Sequence, residues 1–389
     1  MKRICTKCIV AALILSMGIT AGIPAYAAQP QTTAATEQAA QLSLEETASQ
    51  YFENYPSDKH VVSAEQLLNR VEEGESFCLL DIRSAEDYAK GHIQGAVNIP
   101  YGADVADALE IIPNDQPVLV YCYSGQTASQ TVALLRLAGK DAYNVSGGFN
   151  KGISKQEKAK QLTVKTETAL PEGNYPVNPQ LKQAIREYYE LAAQNGKFNM
   201  SAEQVKKEAS EGKIYLVDIR SENDYLKSRI SFAKENIPFG KGMQTALANL
   251  PKDQKIVFQC YSGQTASQTV AIARMMGLDA YNLSGGMGAK GGSGWLGAGY
   301  HVVKYSTQQF LNAKVDRYFK NLPENKNQLS AAAFLAAVED KEDAVILDIR
   351  SAEDYAKGHV KGAVNVPYGM DVAAALEKIP SDKTVYVYC

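Results

Sequence analysis

From residue 60 onward, short apolar runs alternate with stretches of helical periodicity. Cys78-Leu79-Leu80 ends at Asp81, and Val118-Leu119-Val120-Tyr121 ends at Cys122. Runs that are apolar without alternation suit strands buried on both faces of a parallel sheet. Between the runs, Ser63-Ala64-Glu65-Gln66 predicts a capping box that opens a helix, and Ser201-Ala202-Glu203-Gln204 repeats it. Residues 131–138 carry a helical apolar pattern that stops at Gly139, a good C-terminal cap, and 141–145 read as one more strand. Strands alternating with helices predict α/β units, each with a mostly parallel central sheet flanked by helices.

The pattern is repeated, and the repeat sets the organisation. Residues 81–102 read DIRSAEDYAKGHIQGAVNIPYG and residues 348–369 read DIRSAEDYAKGHVKGAVNVPYG. Residues 218–240 carry a drifted version, DIRSENDYLKSRISFAKENIPFG. CYSGQTASQTVA occurs at 122–133 and again, letter for letter, at 260–271, while the third copy reaches only Cys389. We therefore expect a first unit over 46–154, a second over 180–300 and a third over 301–389. The third stops at its loop cysteine, so the sequence reads as a fragment. Residues 28–45 and 155–179 read as linkers, and the glycine-dense 285–299 as a flexible exit from the second unit.

Lys2, Arg3 and Lys7 precede an apolar stretch at 9–23 that is shorter than a membrane span usually needs. Ala25-Tyr26-Ala27 supplies small residues for a signal peptidase. Residues 1–27 are thus expected to be an export signal cleaved after Ala27; the alternative is an uncleaved anchor. The mature protein is expected outside the cytoplasm, with no membrane partner after cleavage. A net charge of -3 without any run of Lys and Arg argues against nucleic acid. Cleavage removes Cys5 and Cys8 and leaves Cys78, Cys122, Cys260 and Cys389. The last three occupy one equivalent position, which favours a repeated task over disulfide pairing.

That position is chemically demanding. A cysteine at the carboxyl end of a parallel strand, followed by a glycine-bearing turn and a helix, faces unpaired backbone N–H groups. They favour an anion there, so the thiolate is stabilised as a nucleophile. Gly125 and Gly263 let the backbone curl, and Ser124, Thr127, Ser262 and Thr265 add hydroxyls. A lone cysteine would more readily be a buried core thiol. Here the whole polar loop recurs with it. No spacing of His and Cys suggests a metal, and no cofactor is expected.

Asp-Ile-Arg at 81–83, the stretch Tyr88…Gly91-His92-Ile93…Gly95-Ala96…Asn98-Ile99-Pro100, the loop 122–127 and Ser146-Gly147-Gly148 together resemble the rhodanese family. The resemblance covers nearly all of the chain beyond the signal and linkers. It implies tandem rhodanese-like domains of a sulfurtransferase. Sulfane sulfur would move from thiosulfate, 3-mercaptopyruvate or polysulfide, through a cysteine persulfide, to a small thiol, cyanide or a thiol-bearing protein. Carried onto this chain, the nucleophiles are Cys122, Cys260 and, in a longer chain, Cys389. The substrate-binding residues are Tyr123, Ser124, Gly125, Gln126 and Thr127, with Tyr261, Ser262, Gly263, Gln264 and Thr265. Asp81, Arg83, Asp218, Arg220, Asp348 and Arg350 are supporting residues, and Glu86 is expected to join the first of these ion pairs. The loops lack Arg and Lys, which more closely resembles the mercaptopyruvate-using branch. A charged donor would need backbone N–H groups, or a basic residue such as Arg83 or Arg220. His92 reads as a packing and hydrogen-bonding residue.

Two other functions compete. A dual-specificity phosphatase needs an Arg near the end of the loop to clamp a phosphoryl group, and Thr127-Ala128 and Thr265-Ala266 stand there instead. A non-catalytic sulfur-binding or interaction module would use the repeats for contacts, and the intact cysteines argue against pure scaffolding.

Overall fold

The computed structural model describes residues 44–53, 55–320, 322–340, 343–369, 375, 378–380 and 383–389. The expected signal and most of the spacer after it lie outside these residues. No helix among those described is long and apolar enough to cross a membrane.

The apolar runs form the expected strands. In the first unit five parallel strands lie side by side in the order Val61–Val62, Ala142–Val145, Val118–Tyr121, Cys78–Asp81 and Ala96–Asn98. Every residue of the two central strands is buried, as sheet faces covered on both sides require. The second unit repeats the order with Asn199–Met200, Ala280–Leu283, Lys255–Gln259, Ile214–Asp218 and Ala233–Asn236. The third places Ala344–Asp348 between Val364–Asn365 and Thr384–Tyr388, again parallel. Register aligns Asp81 with Tyr121 and with Asn98, so polar side chains gather at the strand ends beside Cys122. Both capping boxes form, on Ser63 with Gln66 and on Ser201 with Gln204.

Three stretches differ from the expectation. Residues 155–179 are not a free linker. Helix Ala159–Leu162 packs Ala159 into the first unit's core, and Thr163–Val164 pairs antiparallel with His92–Ile93. Farther on, Tyr175 N donates to Glu110 O at 2.8 Å and Val177 is buried. A few well-placed apolar groups among many polar ones suffice to dock this segment. Nor is 285–299 a flexible exit. Its glycines let the backbone fold against itself: a Cβ on Gly288 would meet Ser293 O at 1.7 Å. The turn buries Trp295, whose indole N–H donates to His301 O at 2.8 Å.

The third difference is that the first two units exchange their leading segments. Helix Pro179–Gln194, ahead of the second sheet in sequence, covers helix Ala103–Asp107 of the first unit. Its Leu181, Ile185, Tyr188, Tyr189 and Ala192 are buried, and the Tyr189 hydroxyl donates to Thr131 Oγ1 at 3.0 Å. In mirror fashion, Leu44–Gln50 and the aromatics after it cover the second unit. Phe52 O accepts from Gly242 N at 3.0 Å, and Phe52 and Tyr55 pack edge-on to Phe239 and tilted to each other. Between these arms the two helices that follow the cysteine loops, Gln126–Leu137 and Gln264–Met275, pack on each other. One core therefore runs through both units, from Leu80 and Val132 to Val270 and Phe258.

His60 lies in this junction against Tyr51 and Tyr55, with Nδ1 buried and without a hydrogen-bond partner. Burial pushes its pKa down to about 4, helped by the positive charge of Arg136 and opposed by Asp58 and Asp141. The folded chain keeps His60 neutral in a range where the unfolded chain protonates it. Stability is therefore full above pH ~6.5 and falls as pH drops towards 4, by about 3 kcal/mol for a shift of this size. Melting curves at pH 7 and 4.5 should show a smaller acid-induced fall for His60→Phe than for the wild type. Equal falls would remove His60 as the cause.

Candidate active site

Cys122 follows strand Val118–Tyr121, and four residues later the chain is helical from Gln126. The turn between them closes through Gly125 at φ +82°, a left-handed conformation that glycine adopts without strain. It aims two backbone N–H groups at the sulfur: Gly125 N lies 3.1 Å and Ala128 N 3.4 Å from Cys122 Sγ. Around Cys260 the distances from Gly263 N and Ala266 N are again 3.1 and 3.4 Å. The cysteines are 2% and 1% exposed, held at the floor of their loops. Cys78 has no such donors, and burial pushes its thiol up to about 12, leaving it a core residue.

A second turn holds the loop in shape. Phe149 N donates to Cys122 O at 2.7 Å and Asn150 N to Tyr123 O at 2.9 Å. Between them, Gly148 lies so close that a Cβ would come within 2.4 Å of Cys122 O and 2.8 Å of Ser124 N. This is the physical content of Ser146-Gly147-Gly148. Met287 N and Gly288 N make the same pair of contacts to Cys260 O and Tyr261 O. The Tyr123 hydroxyl donates to Asp87 Oδ2 at 2.6 Å, and that of Tyr261 to Asp224, which pins each loop to the neighbouring helix.

The supporting ion pairs lie behind the loops. Arg83 Nη2 reaches Asp81 Oδ2 at 2.6 Å and Gly91 O at 2.8 Å, and the guanidinium stacks 3.9 Å from the Phe149 ring centre. Arg220 does the same with Asp218 and Ser228 O, and Arg350 with Asp348 and Gly358 O. Glu86 is not part of this group; it turns to solvent and pairs with Lys90 at 2.9 Å. Asn98 fills the position nearer the site, donating to Asp81 O and Arg83 O. His92 stacks on Tyr88 with ring centres 3.6 Å apart, its nitrogens on Tyr88 O and Thr166 O. Arg229, its counterpart in the second unit, lies between the rings of Tyr225 and Tyr305. In the third unit Asp348 and Arg350 are paired as above, while Cys389 is exposed.

The two complete loops meet across a shared cleft of about 820 Å³. Ser124 and Ser262 line it from opposite sides, and Lys151 is its one cation among the described lining residues, its Nζ 2.9 Å from Ser293 Oγ. Gln126 and Gln264 project across it. Gln264 Oε1 accepts from Asn144 Nδ2 at 2.9 Å and Gly147 N at 3.2 Å in the first unit. Gln126 Oε1 accepts from Asn282 Nδ2 and Gly285 N in the second. The structure thus assembles the loop residues at each cysteine but directs the two glutamine oxygens to the other unit. Phe149, Lys151 and the two asparagines were not singled out from the sequence, and Asn98 entered only as part of the family resemblance. Only the recurrence of Asn in the repeated NIP and YN segments hinted at any of them.

A family model described as a Rhodanese-like domain matches residues 63–155, 201–289 and 330–389. The chain is 33% identical over 97 residues to a putative sulfur carrier protein of Bacillus subtilis, covering 25% of this chain and 52% of that protein. It is 38% identical over 72 residues to a thiosulfate sulfurtransferase of Pseudomonas fluorescens, covering 18% of this chain and 65% of the relative. The chain thus spans about half to two thirds of these curated relatives. Among solved structures, a thiosulfate sulfurtransferase from Pseudomonas aeruginosa is 18% identical with a TM-score of 0.25, covering 85% of this chain and 61% of that one. The three segments matched by the family model make up more than half of the sequence, and the chain belongs to the rhodanese-like domain family.

Proposed function

We propose that the protein is a sulfurtransferase that carries sulfane sulfur as a persulfide on Cys122 and on Cys260. The observation that carries this reading is the pair of N–H groups on each Sγ. A hydrogen bond to a charged group contributes about 1.5–3 kcal/mol, so the two N–H groups stabilise negative charge on the sulfur as it attacks and as it leaves. The thiolate attacks the outer sulfur of the donor and forms an S–S bond. The donor's bond to that sulfur breaks, and its electron pair leaves with the remainder, as sulfite when the donor is thiosulfate. An acceptor thiolate or cyanide then takes the outer sulfur, and the bonding pair returns to the cysteine.

The donor in this reading is an anion held without a cation in the loop. Arg83 and Arg220 are committed to Asp81 and Asp218, which leaves the loop N–H groups, the hydroxyls of Ser124 and Thr127, and Lys151 at the cleft. Thiosulfate, 3-mercaptopyruvate and polysulfide all satisfy these terms. The basic start, apolar stretch and Ala25-Tyr26-Ala27 support the further proposal that the reaction takes place outside the cytoplasm.

Incubation with each donor in turn should add about 32 Da to the peptides of Cys122 and Cys260, removable by cyanide, and none to that of Cys78. Cys122→Ser and Cys260→Ser should each abolish one of the two gains. Absence of any gain with all three donors would leave the chain a binding module. Gly148→Ala provides a second check, because it forces a Cβ against Cys122 O at φ +56°. Persulfide formation at Cys122 should fall by roughly tenfold or more while Cys260 keeps most of its rate. Unchanged labelling of Cys122 would mean that the Gly147-Gly148 turn does not shape the loop.

A further inference from the structure

Each cysteine loop is in contact with a side chain that its own unit does not supply. Gln264 belongs to the Cys260 loop, yet its Oε1 would lie only 2.5 Å from a Cβ placed on Gly125 in the Cys122 loop. Gln126 stands in the same relation to Gly263, also at 2.5 Å. Glycine at these positions therefore answers two demands, the left-handed turn and room for the other unit's carboxamide. The oxygen accepts the N–H of Gly147 and the amide of Asn144, both in the first unit, and Asn144 is wholly buried. Gly147 opens the turn whose next residues hold Cys122 O and Tyr123 O. A continuous chain of contacts thus runs from Gln264 through the Gly147-Gly148 turn to the backbone that aims N–H groups at Cys122 Sγ. The same chain runs from Gln126 through Gly285-Gly286 to Cys260. Each glutamine also donates through Nε2 to the serine of its own loop at 3.2 Å, Ser124 or Ser262.

We propose that Gln264 is a positioning residue for Cys122 and Gln126 for Cys260, so that the two sites of this chain function as a reciprocal pair. An ordinary interface contact would not need to sit over a loop glycine or to take up the N–H of the turn that clamps a nucleophile. The proposal rests on the reading of both cysteines as reactive thiolates, and it makes an unusual demand. Damage to one loop's glutamine should appear mainly at the other loop's cysteine.

Gln264→Met and Gln126→Met keep the side-chain length and remove the acceptor. Alkylation by iodoacetamide, followed peptide by peptide across a pH series on the intact chain, reads each thiolate whether or not sulfur is ever transferred. A failure of sulfur transfer and a failure of this proposal are therefore distinguishable. In Gln264→Met, Cys122 should react roughly three- to tenfold more slowly at pH 7, with its pH profile moved upward, and Cys260 should change less. Gln126→Met should give the mirror image. Asn144→Ala, which removes one donor to the Gln264 oxygen without replacing a residue of either loop, should slow Cys122 in the same direction and covers the case in which a glutamine variant does not fold. Loss confined to the cysteine of the altered loop, or equal loss at both cysteines, would overturn the proposal.

Discussion

The packing of helix Gln126–Leu137 on helix Gln264–Met275 is the constraint from which the rest of this structure follows. Each helix is buried over eight consecutive positions, Ala128 to Leu135 and Ala266 to Ala273, so neither has a solvent face. The Ser129 and Ser267 hydroxyls have no hydrogen-bond partner there, but the long amides of a helix closed in on every side must find partners inside the protein. Gln130 does so with the Tyr101 hydroxyl and Lys197 O, and Gln268 with the hydroxyls of Tyr51 and Tyr55 and with Lys59 O. Lys197, Tyr51, Tyr55 and Lys59 come from the other unit, and Tyr101 from the unit of Gln130 itself. The junction is consequently specific in register as well as apolar, because a slip by one turn would strand buried amides. Since each helix begins at a cysteine loop, fixing the helices also fixes the two loops face to face.

The Asp–Arg pairs hold the site from behind. Asp81 is wholly buried and Arg83 is 4% exposed, an arrangement that adds little net stability but becomes costly when one partner is removed, by about 3–5 kcal/mol. Its value is geometric. Arg83 joins the end of strand Cys78–Asp81 to Gly91 O, and Asn98 closes the same strand end through two carbonyls. In the second unit burial raises the carboxyl pKa of Asp218 in spite of Arg220, which marks how dry this layer is. The Arg83 guanidinium is committed to Asp81 and to Gly91 O within its own unit.

Most of what is local was legible in the sequence. The strands, the capping boxes, the turn that follows each cysteine and the Asp81–Arg83 pair follow from short-range pattern, and each occurs where the residues predict it. Glu86 misleads because the helix face that would carry it to Asp81 instead carries Tyr88, while Asp87 takes the loop tyrosine. The exchange of arms was not legible. An amphipathic helix such as Pro179–Gln194 announces that it buries Leu181, Ile185 and Tyr188, but nothing in its periodicity says against which sheet. The cross-unit contacts of Gln126 and Gln264 were hidden for the same reason, since a glutamine beside a loop cysteine reads as a ligand-facing group until the second loop is placed opposite.

The third unit separates the two kinds of information within one chain. It reproduces the local parts closely: Arg350 binds Asp348 and Gly358 O, Asn365 donates to Asp348 O, and Tyr355 stacks on His359 at 3.7 Å. Yet the Arg350 side chain is 30% exposed where that of Arg83 is 4%. Its arm ends in Tyr318-Phe319, the same order as Tyr51-Phe52 in the first unit, and these two rings are 54% and 65% exposed while Phe52 is fully buried. The same short motif therefore yields the same hydrogen bonds and a different environment. The ion pair and the strand-end amide are properties of a single unit, whereas in the first two units the dry site and the buried arms accompany the packing of loop helix on loop helix. The closed floors beneath Cys122 and Cys260, and the glutamine that each loop receives from across the cleft, belong to that second level.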